Sequence, residues 1–216
     1  MKPSQSCSMP NDVSNIAVLL LAAGASTRLG HPKQLIKIGD QTLLEKAARV
    51  ALDSGCRPVL VVLGAHADKI KPVLEHLRVQ IVENRNWESG MGSSIACGAQ
   101  FLIKEFPDLD AVILMLCDQP FVGVDILQTM LKSWRENKAG IVAADYGAAF
   151  GPPALFAKRF FPQLSSLQGE KGAKSLMLEQ KEALGWVLFP EGAADLDTAA
   201  DLEKWGDFSI GRFTTW

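Results

Sequence analysis

The stretch Ala17-Val-Leu-Leu-Leu-Ala-Ala-Gly-Ala-Ser-Thr-Arg-Leu-Gly-His-Pro-Lys-Gln-Leu35 joins an apolar run to a small loop that contains glycine. A continuous apolar run is typical of a strand that is buried on both faces of a sheet. The loop contains Arg28 and leads to Lys33. Small residues let backbone N–H groups approach a polyanion, which the two cations can neutralise. The stretch therefore predicts a triphosphate site directly after the first strand.

Apolar runs alternate with helical patterns along the chain as far as residue 145. The predicted strands span 16–21, 58–63, 79–82, 111–116 and 140–144, and the predicted helices span 42–55, 68–77, 93–106 and 125–137. This alternation predicts an α/β fold, which is a three-layer, Rossmann-like, mostly parallel sheet with helices on both faces. Glycine and proline break the pattern after residue 145. We expect that part to pack over the carboxyl ends of the strands and to supply an acceptor pocket.

The bulk composition restricts the classes of protein to which the chain can belong. Its 216 residues suit a single domain, predicted over 15–216, with 1–14 as a flexible N-terminal tail. A net charge of −2 argues against binding nucleic acid through bulk electrostatics. The longest apolar run, 16–23, is too short to span a membrane. The four cysteines are far apart, which favours reduced thiols in a cytoplasmic protein.

Two common phosphate-binding loops do not match the segment that follows the first strand. Counted from Gly24, a P-loop needs its second glycine where Leu29 stands. The dinucleotide fingerprint needs glycines at the positions of Ser26 and Leu29. Both failures argue against a P-loop kinase and against an enzyme that transfers hydride from a nicotinamide dinucleotide.

Several polar residues are candidates for the same site. Asp118 directly follows the strand predicted over 111–116, and ligands of open α/β sheets bind at the carboxyl ends of strands. A carboxylate there suits Mg²⁺, although a helix cap or a turn is the alternative. Asp197 is the candidate for a second metal ligand, ahead of Asp195, and capping is again the alternative. Ser93 and Ser94 either cap a helix or bind the base or ribose.

The segment fits the pattern L-A-A-G-x-S-x-R-x-G-x-P-K-Q and resembles the nucleotidyltransferases with a glycosyltransferase-A-like Rossmann sheet. One residue, His31, separates Gly30 from Pro32-Lys33-Gln34, as in proteins similar to the molybdenum cofactor cytidylyltransferase family. Further segments match this family in the same order: Asn86-Trp-Glu-Ser-Gly-Met-Gly-Ser-Ser-Ile95, Cys117-Asp-Gln-Pro120, Gly151-Pro-Pro-Ala-Leu-Phe156, Gly169-Glu-Lys-Gly-Ala-Lys174 and Asp195-Leu-Asp-Thr-Ala-Ala-Asp201. The resemblance covers roughly residues 16–205.

The resemblance implies an activity and a set of site residues. The enzyme would transfer CMP from CTP to the phosphate of molybdopterin, with Mg²⁺ as its cofactor, and would release pyrophosphate. The residues implied as catalytic are Arg28, Lys33 and Asp118, and the metal ligands would be Asp118 and Asp197. The residues implied to bind nucleotide are Leu21, Ala22, Ala23, Gly24, Ser26, Arg28, Lys33, Ser93 and Ser94. Of the five tryptophans, Trp87 is the one we expect to line the site.

Two departures from the family pattern concern the acceptor. The family often has Gly-His-Pro where this chain has Gly151-Pro152-Pro153, and Gly-Asp where it has Gly169-Glu170. We expect nucleotide binding by 15–145 and acceptor binding by 146–205. The alternatives are GTP as donor, another phosphorylated acceptor such as a sugar phosphate, or a molybdenum-cofactor-binding chaperone with little catalysis. A molybdoenzyme that receives the cofactor is the expected protein partner.

Overall fold

The structure is a computed structural model, and it describes residues 15–27, 29–170 and 172–194. The strands in these residues are β1 (Ile16–Ala22), β2 (Lys37–Ile38), β3 (Gln41–Thr42), β4 (Val59–Leu63), β5 (Gln80–Glu83), β6 (Ala111–Leu116), β7 (Ile141–Asp145), β8 (Phe150–Ala157) and β9 (Leu184–Leu188). Seven of them form one sheet in the order β5-β4-β1-β6-β8-β7-β9, and β2 pairs with β3 as a separate hairpin. In the large sheet only β8 runs antiparallel to its neighbours.

Helices cover both faces of this sheet. They are α1 (Leu43–Asp53), α2 (Ala67–Ile70), α3 (Met91–Glu105), α4 (Val124–Asn137), α5 (Phe161–Ser165) and α6 (Lys174–Glu179). On one face α1, α2 and α4 pack with Val18 and Leu20 of β1, and on the other α3, α5 and α6 pack with Leu19 and Leu21. Successive side chains of a strand point to opposite faces, which is why β1 is apolar throughout and wholly buried. The predicted three-layer α/β fold is confirmed.

The start of α1 is determined by its own sequence, as predicted. The Thr42 hydroxyl oxygen accepts a hydrogen bond from the Glu45 backbone N–H at 3.2 Å, and a Glu45 carboxylate oxygen accepts one from the Thr42 N–H at 2.8 Å. This capping box satisfies two backbone donors at the helix end. The prediction of one continuous helix over 68–77 is wrong. One turn of α2 is followed by a 3-10 helix over Lys71–Leu74, because Pro72 lacks a backbone donor.

The part of the chain after residue 145 departs most from expectation. We expected short pieces over the carboxyl ends of the strands, but β8 enters the middle of the sheet and β9 forms one edge. The ladder between β7 and β8 skips, since Ala143 pairs with Ala154 whereas Ala144 pairs with Gly151. Pro152 and Pro153 lie within that irregularity, where the ladder requires no donor from them. In the described part of the chain, no helix has the length and apolar composition of a membrane span.

Candidate active site

Two neighbouring parallel strands bring the predicted site together. Leu21 of β1 pairs with Leu116 of β6, so the loop after β1 and the residues after β6 leave the sheet at the same edge. Lys33, at the start of a short 3-10 helix over Lys33–Leu35, forms an ion pair with Asp118 across this edge. Their side chains are only 16% and 14% exposed, respectively. The structure thus joins two charged groups that lie 85 residues apart in the sequence.

A cavity of about 420 Å³ opens over this ion pair. It lies between the loop after β1, the start of α3 and the end of β6. Its lining residues are Leu21, Ala22, Ala23, Gly24, Ala25, Thr27, Lys33, Gln34, Trp87, Glu88, Gly90, Met91, Ser94, Leu116, Cys117, Asp118 and Glu170. Small residues form the wall nearest to β1, which leaves backbone groups there accessible to a ligand.

A buried side chain holds the small-residue wall in place. Gln34 is 0% exposed, and its amide nitrogen donates hydrogen bonds to the carbonyl oxygens of Ala22 and Gly24, both at 2.9 Å. The Ser26 hydroxyl accepts a hydrogen bond from the Lys33 backbone N–H at 3.0 Å. Ser26 itself has a φ of 56°, in the left-handed region. These contacts connect the loop to the segment that carries Lys33, so the loop and the lysine are positioned together.

The free oxygen of Asp118 provides a test of whether a metal fits this site. One carboxylate oxygen contacts Lys33, whereas Oδ1 is buried and has no hydrogen-bond partner among the described residues. Magnesium binds through one or two carboxylates and keeps the rest of its shell for water and phosphate oxygens. In the described ranges no three His, Cys, Asp or Glu side chains cluster as metal ligands. The residues therefore suit an ion held partly by a nucleotide, with Asp118 as its protein ligand.

Cys117 lines the same cavity, but its protonation makes it a poor nucleophile. Burial, together with the neighbouring Asp118 charge, raises the pKa of its thiol to about 12, against a smaller opposing effect of Lys33. A thiol must ionise to attack or to bind a metal. Cys117 therefore stays neutral near pH 7, and the site favours charge stabilisation over covalent catalysis.

Glycines allow two close approaches around the cavity. A Cβ at Gly64 would lie 2.7 Å from both the Ala23 carbonyl oxygen and the Trp87 Cβ. This approach brings Trp87 against the loop after β1. A Cβ at Gly92 would lie 2.6 Å from the Gln168 carbonyl carbon, and the Gly92 N–H donates to the Gly169 carbonyl oxygen at 2.8 Å. The first turn of α3 therefore packs on backbone from the second half of the chain.

The two candidate serines of α3 lie in different surroundings. Ser94 lines the 420 Å³ cavity, whereas Ser93 lines a second cavity of about 650 Å³ on the other side of the α3 start. Asn84, at the end of β5, donates hydrogen bonds to both hydroxyl oxygens. The helix begins at Met91, two residues before Ser93, because Gly90 is its N-cap with a φ of 100°.

A polar link extends from the Asp118 loop toward the later part of the chain. Gln119 is 6% exposed, and its amide donates to the Tyr146 hydroxyl at 3.1 Å and to the Gly192 carbonyl oxygen at 2.9 Å. The Tyr146 hydroxyl in turn donates to the Pro152 carbonyl oxygen. The segments expected to face the acceptor are thus connected to the residue next to Asp118.

Most of the predicted site residues converge, and three fall outside the description. Leu21, Ala22, Ala23, Gly24, Lys33, Ser94 and Asp118 line the cavity, and Ser26 supports Lys33. Arg28, Asp195 and Asp197 lie outside the described residues. The sequence analysis assigned no role to Gln34, Asn84 or Glu88, and it placed Glu170 on the acceptor side, whereas Glu170 lines the same cavity as Lys33 and Asp118. Gln34 stands in the matched pattern itself, whereas Asn84 precedes the matched segment and gave no signal.

A three-layer sheet with a small-residue loop, a lysine and an aspartate at adjacent strand ends defines the class of nucleotide-binding group-transfer enzymes. Comparison with known proteins supports this class. The chain matches the model of the MobA-like NTP transferase domain over residues 18–183 and belongs to that family. It is a nucleotidyltransferase, and the predicted family resemblance is confirmed.

Relatives within this family carry different names. The chain is 32% identical to nicotine blue oxidoreductase of Paenarthrobacter nicotinovorans, over 89% of this chain and 94% of that protein. It is 28% identical to the purine catabolism protein PucB of Bacillus subtilis, over 83% and 88%. It is 26% identical to a probable molybdenum cofactor guanylyltransferase of Bacillus mycoides, over 78% and 82%.

Solved structures share the fold. The Rv0371c protein of Mycobacterium tuberculosis superposes with a TM-score of 0.77 at 26% identity, covering 90% of this chain and 99% of that one. The complex of Rv0371c with manganese superposes with a TM-score of 0.73 at 25% identity, with the same coverage of both chains.

Proposed function

We propose that this nucleotidyltransferase transfers CMP from CTP to the phosphate of molybdopterin and releases pyrophosphate. The observation that carries the proposal is the cavity beside the Lys33–Asp118 pair, where the buried Asp118 Oδ1 has no hydrogen-bond partner among residues 15–27, 29–170 and 172–194. Such an oxygen beside an ammonium group suits a ligand that brings both phosphates and a divalent cation.

In this mechanism the chain contributes mainly positioning and charge. An acceptor phosphate oxygen attacks the α-phosphorus of the nucleotide, the bond to the bridging oxygen breaks, and pyrophosphate leaves. When the nucleotide binds, the Lys33 ammonium group leaves Asp118 and contacts phosphate oxygens. It then neutralises the negative charge that develops on the leaving pyrophosphate. The loop that Gln34 holds places its backbone groups against the triphosphate. Arg28 supplies a second cation to the pyrophosphate.

Asp118 is the residue that would hold the metal, with Asp197 as the proposed second ligand. A bound Mg²⁺ would neutralise phosphate charge and polarise the α-phosphoryl oxygen. The manganese complex of Rv0371c supports a divalent ion in this fold. Asp118 would hold the ion through its carboxylate, and its place directly after β6 fixes that carboxylate at the edge of the sheet.

The choice of donor and acceptor rests on relatives and on spacing. The single residue between Gly30 and Pro32 resembles the pattern of the molybdenum cofactor cytidylyltransferases, and that resemblance favours CTP. A relative named a guanylyltransferase makes GTP the second candidate. That same name supports a molybdenum cofactor as acceptor. We assign nucleotide binding to 15–145 and acceptor binding to 146–205, and Glu170 in the cavity wall supports a contribution of the second half. We further propose that the reaction occurs in the cytoplasm and that a molybdoenzyme receives the product.

The test is an assay of pyrophosphate release with each of the four NTPs and Mg²⁺, with and without molybdopterin. We expect release with CTP only when molybdopterin is present. Lys33→Ala and Asp118→Ala should abolish it, whereas Lys37→Ala and Asp68→Asn, which change exposed residues of the same types, should not. Normal release by both site variants would refute the assignment.

Further arms of the assay separate the alternative functions. Release with GTP, or with a sugar phosphate in place of molybdopterin, would identify another donor or acceptor. Tight binding of molybdopterin without release of pyrophosphate would indicate a cofactor chaperone. Because one relative is named an oxidoreductase, consumption of NADH or NADPH is followed in parallel. We expect none, because the loop after β1 lacks the dinucleotide fingerprint.

A further inference from the structure

We propose that Asn84 is a positioning residue that turns the Ser94 hydroxyl into a hydrogen-bond donor toward the nucleotide. The proposal rests on the proposed function, because it places a nucleotide in the 420 Å³ cavity. The Asn84 amide donates to the Ser94 oxygen, so that the Ser94 proton points away from Asn84 and faces the ligand.

Both side-chain N–H groups of Asn84 are used in hydrogen bonds to the two serines. Asn84 is 5% exposed, and its amide nitrogen donates to the hydroxyl oxygens of Ser93 at 2.9 Å and Ser94 at 3.0 Å. Its side-chain oxygen accepts from the Asn86 backbone N–H at 3.0 Å. The opposite amide orientation would set an NH₂ group against that N–H donor, so the backbone fixes which end faces the serines.

The Ser93 hydroxyl donates its proton to backbone carbonyl groups of the protein. Its hydroxyl lies 2.9 Å from the Asn86 carbonyl oxygen and 2.8 Å from the Gly90 carbonyl oxygen, and it donates to these groups. A hydroxyl carries a single proton, so Ser93 has none left for a ligand. Its role is to tie the start of α3 to the segment before it.

Ser94 differs in the direction of its proton. Among the described residues its hydroxyl accepts from Asn84 and donates to no group. Ser94 is 4% exposed, so bulk water does not replace a lost partner easily, and it lines the nucleotide cavity. A nearly buried hydroxyl with its acceptor side occupied is oriented as a donor.

The position of Ser94 indicates which part of the nucleotide it contacts. Asp118 follows β6, whereas Asn84 follows β5, and β1 and β4 lie between those strands. The Lys33–Asp118 ion pair lies at the β6 end, which suits the triphosphate. Ser94 therefore meets the nucleoside end, where the neutral acceptors are ribose oxygens and the carbonyl or ring nitrogen of the base.

Isothermal titration calorimetry with CTP and with GTP, in the absence of any acceptor, tests the proposal on the full chain. Ser94→Ala should weaken binding of the preferred nucleotide about 3- to 10-fold, the value of one hydrogen bond between neutral groups. Asn84→Asp should weaken it by a similar factor, because a carboxylate only accepts and draws the Ser94 proton away from the cavity. The double variant should bind no more weakly than Ser94→Ala. Ser89→Ala, an exposed serine outside this cavity, should bind as the wild type does.

Kinetics distinguish positioning from a general structural defect. When the nucleotide is varied at saturating acceptor, Asn84→Asp should raise KM for the nucleotide and leave kcat within about twofold of wild type, because the Lys33–Asp118 pair is untouched. If the buried carboxylate prevents folding, Asn84→Ala replaces it and is compared with and without Ser94→Ala. Unchanged binding by Ser94→Ala, or equal weakening by the Asn84 change in the Ser94→Ala background, would overturn the proposal. Wild-type protein that binds neither CTP nor GTP would instead refute the proposed function, and this inference with it.

Discussion

Replacing Gln34 by leucine tests how the nucleotide loop is held. The side chain is 0% exposed, and one amide group bridges the Ala22 and Gly24 carbonyl oxygens at 2.9 Å. Leucine has a similar volume but no donor, so the substitution removes both bridges without opening a large cavity. The loop then keeps its residues but loses its connection to the segment that carries Lys33.

The expected loss of stability follows from the surroundings of each hydrogen-bonding group that the substitution affects. Ala22 is 2% exposed, so its carbonyl loses a partner where water is scarce, at about 1–3 kcal/mol. Gly24 is exposed and its carbonyl rehydrates, at about 0.5 kcal/mol. Gln34 Oε1 is buried and has no partner among the described residues, so its removal returns about 1 kcal/mol. These figures give a net destabilisation of about 0.5–2.5 kcal/mol, or a fall in Tm of about 1–10 °C.

The substitution should lower kcat/KM by more than the loss of folded protein alone would explain. A displacement of about 1 Å at a positioned reacting group can lower the rate about 100-fold, so kcat/KM should fall about 10- to 100-fold at a temperature where the variant is folded. Thermal unfolding and pyrophosphate release measure the two effects, with Gln80→Leu, at an exposed glutamine, as control. A folded Gln34→Leu protein with wild-type kcat/KM would refute the role of this side chain.

Three further predictions concern stability. Burial lowers the pKa of Lys46 to about 8. The unfolded chain, with its ordinary pKa of about 10.4, then binds more protons than the folded chain between these values. The free energy of unfolding should therefore rise by about 1–2 kcal/mol, after allowance for solvent screening, from about pH 8 to 10. Urea unfolding should show this rise in the wild type and not in Lys46→Met. Gly92→Ala places a Cβ 2.6 Å from Gln168 and should cost about 1–3 kcal/mol, whereas Gly24→Ala, with no atom within 4 Å, should leave Tm unchanged. Thr42→Ala removes the capping box and should cost about 1 kcal/mol in the same urea assay; an unchanged midpoint would contradict the role of this cap.

The central strands were predictable from the sequence because burial on both faces leaves a continuous apolar run. The same signal placed Asp118 at a strand end, and the parallel pairing of β1 with β6 then brought it to Lys33. The capping box of α1 was equally local, since Thr42 and Glu45 are three residues apart. Local patterns of this kind need no knowledge of distant contacts.

The position of β8 depended on contacts that sequence patterns do not show. An antiparallel strand inserted between β6 and β7 is defined by pairing across the sheet, and Pro152 and Pro153 argued against a central strand. Sequence patterns also could not distinguish the two serines of α3, because their difference depends on contacts within the folded protein. What distinguishes them is that Ser93 donates to the Asn86 and Gly90 carbonyl oxygens and lines the second cavity, whereas Ser94 lines the cavity beside Lys33 and Asp118.

The central claim is that the cavity beside Lys33 and Asp118 moves a nucleotidyl group to a phosphorylated acceptor. The most direct measurement uses CTP radiolabelled at the α-phosphate, with Mg²⁺ and molybdopterin, and follows the label by chromatography in a single turnover. We predict that the wild type transfers the label to the acceptor and that Asp118→Asn leaves it on CTP. Label that remains on CTP with the wild type, or reaches the acceptor equally fast with Asp118→Asn, would contradict the account.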